Sequence, residues 1–305
     1  MHIPNSMLHG SVCPVTVLVS TFGIILAALK AFWSEHKTSA ARFGAITALI
    51  FAGQMMNFPV QNGTSGHLLG GVLAAVLLGT PLGVLSIALV VTIQCLVFSD
   101  GGFTVLGANV LNMAIIGAGF GGMMNAYLVK KFPAGSTKHV LGIGIAAWSS
   151  VMLAALACSI ELAVSGTIAF SKVAGAMMST HALIGVGEGI ITAAVCYLLA
   201  YEPVKGLTGK SVVVPLAASG IIAAMLSPFA SGFPDGLEWV AQKYQFLHES
   251  APSFVSPLPD YSVSWIGNEA VSTGLAGLAG VAITFFAAWV VAKALHMPAQ
   301  LDPAS

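Results

Sequence analysis

The chain has 305 residues, of which 57% are hydrophobic and only 7% charged, with a formal net charge of zero. A soluble globule carries roughly 25% charged residues, so this composition excludes a domain coated by water on all sides. The neutral balance also excludes nucleic-acid binding by bulk electrostatics.

Mean hydropathy is +0.91, and the apolar residues fall in blocks of about 14 to 31, the pattern of several membrane-spanning helices. In chain order the spans are expected near 12–33, 42–56, 68–79, 82–98, 104–129, 139–165, 173–200, 213–231 and 271–295. The stretch 68–98 reads as one long helix or as two short ones broken at Gly79-Thr80-Pro81. Loop charge decides for two. With a break and an external N-terminus, nine of the 11 basic residues fall inside: Lys30, Lys37, Arg42, Lys130, Lys131, Lys138, Lys205, Lys210 and Lys293. Lys172 and Lys243 fall outside. The C-terminus is then cytoplasmic. No Lys or Arg precedes residue 30 to form the charged region of a signal peptide, so the first residues are expected in the mature protein. The bulky His2 side chain also disfavours removal of Met1. Cys13, Cys95, Cys158 and Cys196 show no CxxC spacing and read as small buried hydrophobes.

Two spans are short. At about 1.5 Å per residue, 42–56 and 68–79 cover roughly 22 and 18 Å, against a hydrocarbon core of about 30 Å. The loop between them, Asn57 to His67, should sink below the outer surface, where irregular backbone must line a cavity or be buried in protein.

The sequence opens Met1-His2-Ile3-Pro4. A free α-amine, the residue-2 amide nitrogen and His2 Nδ1 can close adjacent five- and six-membered chelate rings on one ion. Such planar nitrogen coordination favours Ni(II) or Cu(II) and can accommodate Co(II). His67, external and recessed, is the natural fourth ligand, and Pro4 would fix the direction of the terminus. Metal would bind better as pH rises. A second reading stays open, in which His67 is a hydrogen-bonded residue at a helix start capped by Thr64 or Ser65. A helix N-terminus beside His67 is also the wrong dipole end for a cation.

Three separated motifs resemble the CbiM/NikM family: Met1-His2-Ile3-Pro4, the loop Met56-Asn57-Phe58-Pro59-Val60 through Gly63-Thr64-Ser65-Gly66-His67-Leu68-Leu69-Gly70, and Thr180-His181-Ala182-Leu183-Ile184-Gly185-Val186-Gly187-Glu188. Its members are the substrate-specific S components of energy-coupling factor (ECF) importers for cobalt and nickel. The resemblance spans residues 1–207 and implies an all-α polytopic fold in the cell (inner) membrane. It implies Met1, His2 and His67 as metal ligands, Ni2+ or Co2+ as cargo, no cofactor, and as partners a transmembrane coupling (T) subunit with a pair of cytoplasmic ATPases. Residues 208–305 resemble the PDGLE module, with Pro234-Asp235-Gly236-Leu237-Glu238 in an external loop between two spans. That module is similar to NikN-type auxiliary subunits, which favours nickel. The expected fold is therefore a seven-helix core plus two C-terminal membrane helices. Asn5-Ser6 departs from the Asp-Gly pair frequent in the family and leaves every proposed ligand present.

His181 and Glu188 lie seven residues apart on one intramembrane helix face. They could support the site together with Asn57, Thr64 and Ser65, brace helix packing, or relay protons in a secondary metal transporter, the rival reading. Glu161 is expected at the interface, its role unassigned. Gly23, Ala27 and Ala31 form a small-residue stripe that could dock the coupling subunit or pack within the bundle. Gly206-Leu207-Thr208-Gly209-Lys210-Ser211 lacks the leading glycine of a phosphate loop, Val204 standing there, so the chain carries no ATPase. Absence of HExxH or paired carboxylates argues against an intramembrane metallo-enzyme. The Asn62-Gly63-Thr64 sequon lies in the recessed loop and is discounted.

Overall fold

A computed structural model describes residues 2–35, 38–61, 63–201, 210–247 and 254–297. Met1, Lys37, Asn62, Lys205, the stretch 206–209 and the expected boundary at 207/208 lie outside the described residues.

The order of elements follows the hydropathy blocks. Helix α1 is Val12–Phe32 and α2 is Ala40–Gln54. A two-stranded antiparallel hairpin follows, β1 Phe58–Pro59 with β2 Ser65–Gly66. Then come α3 Gly71–Leu78, α4 Thr80–Phe98, α5 Leu106–Lys131, α6 Thr137–Val164 and α7 Phe170–Cys196. The last elements are α8 Ser211–Phe229, the short α9 Gly236–Lys243, and α10 Glu269–Ala294. Local chemistry sets several starts. Ser39, Ser136 and Asn268 accept the backbone N–H of Arg42, His139 and Val271, capping α2, α6 and α10.

Seven of these helices are long and apolar enough to cross a membrane: α1, α4, α5, α6, α7, α8 and α10. The protein is therefore an all-α polytopic membrane protein. Helices α2 and α3, with 15 and 8 residues, are not long enough, covering roughly 22 and 12 Å of a core about 30 Å thick. The break after α3 stands where expected, at Gly79 with φ +83° and Pro81 in the first turn of α4. The start of α3 is later than expected. Gly70 is left-handed at φ +73°, and the N–H groups of Leu69 and Gly70 point to a side chain on α7.

Short helices survive only if neighbours bury them. Phe43, Ile46, Ile50 and Phe51 of α2 are fully enclosed, and α2 packs against α10, α8, α4 and α3. Helix α3 lies on the middle of α5, where Leu111–Phe120 is a π-helical stretch. A Cβ on Gly71 would come within 2.6 Å of the Gly117 backbone, so only glycine permits that approach.

The small-residue stripe of α1 points inward. Ala27 and Ala31 are buried, and a Cβ on Gly23 would strike Ile115 of α5. These residues therefore take part in packing within the bundle. The opposite face presents Leu18, Phe22, Ile25 and Leu29. Glu161, near the end of α6, is buried and accepts a hydrogen bond from Asn112 Nδ2 at 2.7 Å. The four cysteines are free, three of them buried.

Candidate metal-binding site

Residues 2–11 form an irregular arm that runs into the bundle, with Ile3, Met7 and Leu8 buried. Ile3 is tied on both sides of its peptide. Its N–H donates to Asn109 Oδ1 at 2.8 Å, and its carbonyl accepts from Asn109 Nδ2 at 3.1 Å and Gly102 N at 2.9 Å. Asn5 Oδ1 accepts from both the amide and the hydroxyl of Thr104. Further along, the Met7 carbonyl accepts from the Thr167 hydroxyl.

This arm sets His2 against His67. Their rings stack with centroids 5.1 Å apart and planes 19° from parallel, and both residues are 8% exposed. Residues 2 and 67 thus meet although 65 positions separate them in the chain. His67 Nδ1 lies 3.0 Å from its neighbour's carbonyl, Leu68 O, so Nδ1 carries the proton and Nε2 keeps the lone pair. His2 is held differently from the sequence expectation. Its Nδ1 lies 3.1 Å from Asp100 Oδ1, and its Nε2 lies 3.1 Å from Gln94 Oε1. Tyr261, from the segment between α9 and α10, donates to the other Asp100 oxygen at 2.6 Å. Chelation through Nδ1 therefore requires the His2 ring to turn away from Asp100.

Glu188 answers the dipole objection. Its Oε2 accepts Leu69 N–H at 2.6 Å and its Oε1 accepts Gly70 N–H at 2.9 Å. A carboxylate thus caps the N-terminus of α3 and offsets the positive end of its dipole, roughly half a charge, beside His67. His181 Nδ1 is spent on its own helix, at Met177 O, 2.9 Å away. His181 lines a small cavity with Gly66, His67, Asp235 and Gly236. The two groups singled out as a proton relay are thus each engaged with backbone partners.

The remaining expected residues serve the hairpin. Ser65 N–H donates to Pro234 O at 2.9 Å and its hydroxyl to Phe233 O at 2.7 Å, so β2 is fastened to the segment before α9. Asn57 accepts Ser231 N–H through its carbonyl. Thr64 lines a separate groove with Gln61, Ser179, Thr180 and Trp239. Neither Thr64 nor Ser65 caps α3, whose N-cap is Gly70. Asp235 begins α9 in a reciprocal capping box with Glu238. Sequence reading missed Gln94, Asp100, Asn109, Asp235 and Tyr261 as site neighbours. Visible signals were Asp100-Gly101-Gly102 closing an apolar block and Asp235 within the Pro234–Glu238 motif. Among the described residues no three His, Cys, Asp or Glu side chains converge to hold an ion.

Burial, set first against the charged form, holds both imidazoles below their ordinary value; for His67 the positive charge of neighbours, His2 among them, adds to it. The stability they confer is present above about pH 6.5 and is lost as pH falls, because the unfolded chain then binds protons that the folded one resists. Each should contribute a slope of about 1.4 kcal/mol per pH unit below that point. Melting temperature in detergent is expected to fall from pH 7 to pH 5, and less steeply in the His67→Ala protein. Equal slopes would show that His67 titrates as freely folded as unfolded.

The description "Cobalt uptake substrate-specific transmembrane region", that of CbiM, matches residues 2–205. The chain belongs to the CbiM family. A PDGLE domain matches residues 209–297 of this CbiM-family chain. A protein of Archaeoglobus fulgidus, provisionally named a fused nickel transport protein NikMN, is 35% identical over 93% of this chain and 95% of its own length. The fused nickel transport protein NikMN of Rhodobacter capsulatus is 28% identical over 93% and 94%. The cobalt transport protein CbiM of Sorangium cellulosum is 36% identical over 52% and 73%. Among solved structures, a truncated transition metal transporter aligns with a TM-score of 0.57 at 31% identity, covering 65% of this chain and 98% of that one. This CbiM-family chain is a multi-pass cobalt/nickel transport component and not an enzyme.

Proposed function

We propose that this chain is the substrate-capture S component of an ATP-driven ECF importer, binding Ni2+ or Co2+ at the external face. The Met1 α-amine, the His2 amide nitrogen, His2 Nδ1 and His67 Nε2 form the donor set. The observation that supports it is the buried stack of His2 on His67, 5.1 Å between centroids, built by an arm that delivers the start of the chain. Three backbone-derived and imidazole nitrogens in a plane, with a fourth from His67, suit square-planar nickel. The fused nickel transport relatives favour nickel as cargo.

Residues 1–207 form the metal-binding membrane domain and 208–305 the PDGLE-type domain. The N-terminus faces outward and the C-terminus the cytoplasm, as the loop lysines and arginines favour. A T subunit and a pair of ATPases supply the coupling, as the family resemblance implies and as the missing leading glycine of the Gly206–Ser211 stretch favours. Lys30 closes α1, and Lys130 and Lys131 close α5, at the end assigned to the inside.

Titration of purified protein with Ni(II), with and without an acetylated or tagged N-terminus, tests the reading. The free protein should bind and release between one and two protons per ion near pH 7, from amine and amide, because both imidazoles are already neutral. The blocked protein should lose most of its affinity and release fewer protons. Equal affinities would remove the amine from the donor set.

A further inference from the structure

Asn109 sits in the first turn of α5, immediately before the π-helical stretch, and is 1% exposed. A carboxamide at that depth is costly unless its donors and acceptors are met. Its side chain bonds to Ile3 twice, once on each side of that residue: the N–H reaches Oδ1 at 2.8 Å and the carbonyl receives Nδ2 at 3.1 Å. One bond would act as a hinge; two in parallel fix the tilt of the peptide as well as its position. Gly102 N–H adds a second bond to the same carbonyl, the third to residue 3. The seat beneath it requires glycine. A Cβ on Gly101, itself at φ +89°, would lie 2.9 Å from Asn109 Nδ2 and 3.4 Å from His2 Cβ. A Cβ on Gly102 would collide with the Asn5 backbone.

We infer that Asn109, seated against Gly101 and Gly102, is the positioning residue that holds the N-terminal arm in register, fixing His2 beside His67. It contacts no cargo. It acts through the peptide of residue 3, one position from the proposed ligand, and reads backbone, so the Ile3 side chain is left to pack in the core. The inference rests on the reading of His2 as a ligand given above.

The test is a double-mutant cycle on the full chain, with Ni(II) as the probe. His2→Ala alone should weaken binding by on the order of 10²-fold, one donor's share of a four-donor site. Asn109→Ala alone should lose most of that. Adding His2→Ala to Asn109→Ala should then cost less than about threefold, because the imidazole has already left its place. Losses that multiply, or an Asn109→Ala protein that binds as wild type, would overturn the inference. Gly102→Ala should behave like Asn109→Ala and serves if the latter does not fold. Amide hydrogen exchange over residues 2–8 of the metal-free protein separates the two readings. Exchange there should quicken by about tenfold or more in Asn109→Ala. Unchanged exchange sinks the clamp, whereas a His2→Ala protein of wild-type affinity sinks the ligand assignment and leaves the exchange result to decide the clamp.

Discussion

The His67→Ala protein is expected to bind Ni(II) roughly 10² to 10³-fold more weakly than wild type. Four-donor protein sites for divalent ions hold about 10 to 16 kcal/mol at neutral pH, so one donor carries about 3 to 4 kcal/mol, each 1.4 of which is tenfold. The loss should concern binding more than folding. His67 stacks on His2 and lies against Leu68 O, whereas the loop's attachment rests on Ser65, Glu188 and the hairpin. Titration calorimetry beside a melting curve separates the two. Retained affinity in a folded His67→Ala protein would place the ion elsewhere and leave the stack a mere packing contact. His67→Cys offers a sharper variant, since a soft thiolate should shift preference away from square-planar nickel toward ions such as zinc.

The fold was legible where hydropathy decides. Each long helix lies within a few residues of its apolar block, and Gly79 with Pro81 marks the one break inside such a block. The onset of α3 was not legible, because what stops that helix at Gly71 is a carboxylate 118 residues away meeting the backbone of Gly70. A backbone partner leaves no mark in a sequence. The same holds for Asn109, which reads as a polar residue in an apolar block until the arm is seen against it. The meeting of His2 with His67 was anticipated from two separate signals, consecutive chelating atoms at the chain start for His2 and a place in the recessed loop for His67, and what the fold shows of it is the stack of the two rings. The pairing of His2 Nδ1 with Asp100 was not, since Asp100 and Tyr261 reach it from two loops far apart in the chain. The partner of Glu161 was not legible for a related reason. That partner, Asn112, lies in a π-helical stretch, whose widened turn alters which side chains face inward, and periodicity of 3.6 does not predict that.

Glu188 should prove the residue on which the recessed loop depends for stability. It is fully buried, and each carboxylate oxygen takes one N–H at the start of α3. Glu188→Leu would leave both buried donors unpaired, at about 1 to 3 kcal/mol each, so a loss of roughly 2 to 6 kcal/mol is expected. Glu188→Gln keeps the shape and one oxygen but sets an amide N–H against one of the donors, and should cost about half as much. Ni(II) affinity should fall in both proteins for an additional reason. Without the carboxylate, the positive end of the α3 dipole faces the cation uncompensated, a term of about 0.3 to 2 kcal/mol, or up to some tens of fold in affinity. Glu188→Asp distinguishes the contributions: it keeps the charge near α3 but is too short to reach both N–H groups, so its melting temperature should drop more than its affinity. A proton-carrying Glu188 predicts the reverse, with Glu188→Gln folding as well as wild type and losing only uptake driven by a pH gradient. Melting curves and titrations on the three variants decide between cap and carrier, and a Glu188→Leu protein that melts with wild type would end the capping account.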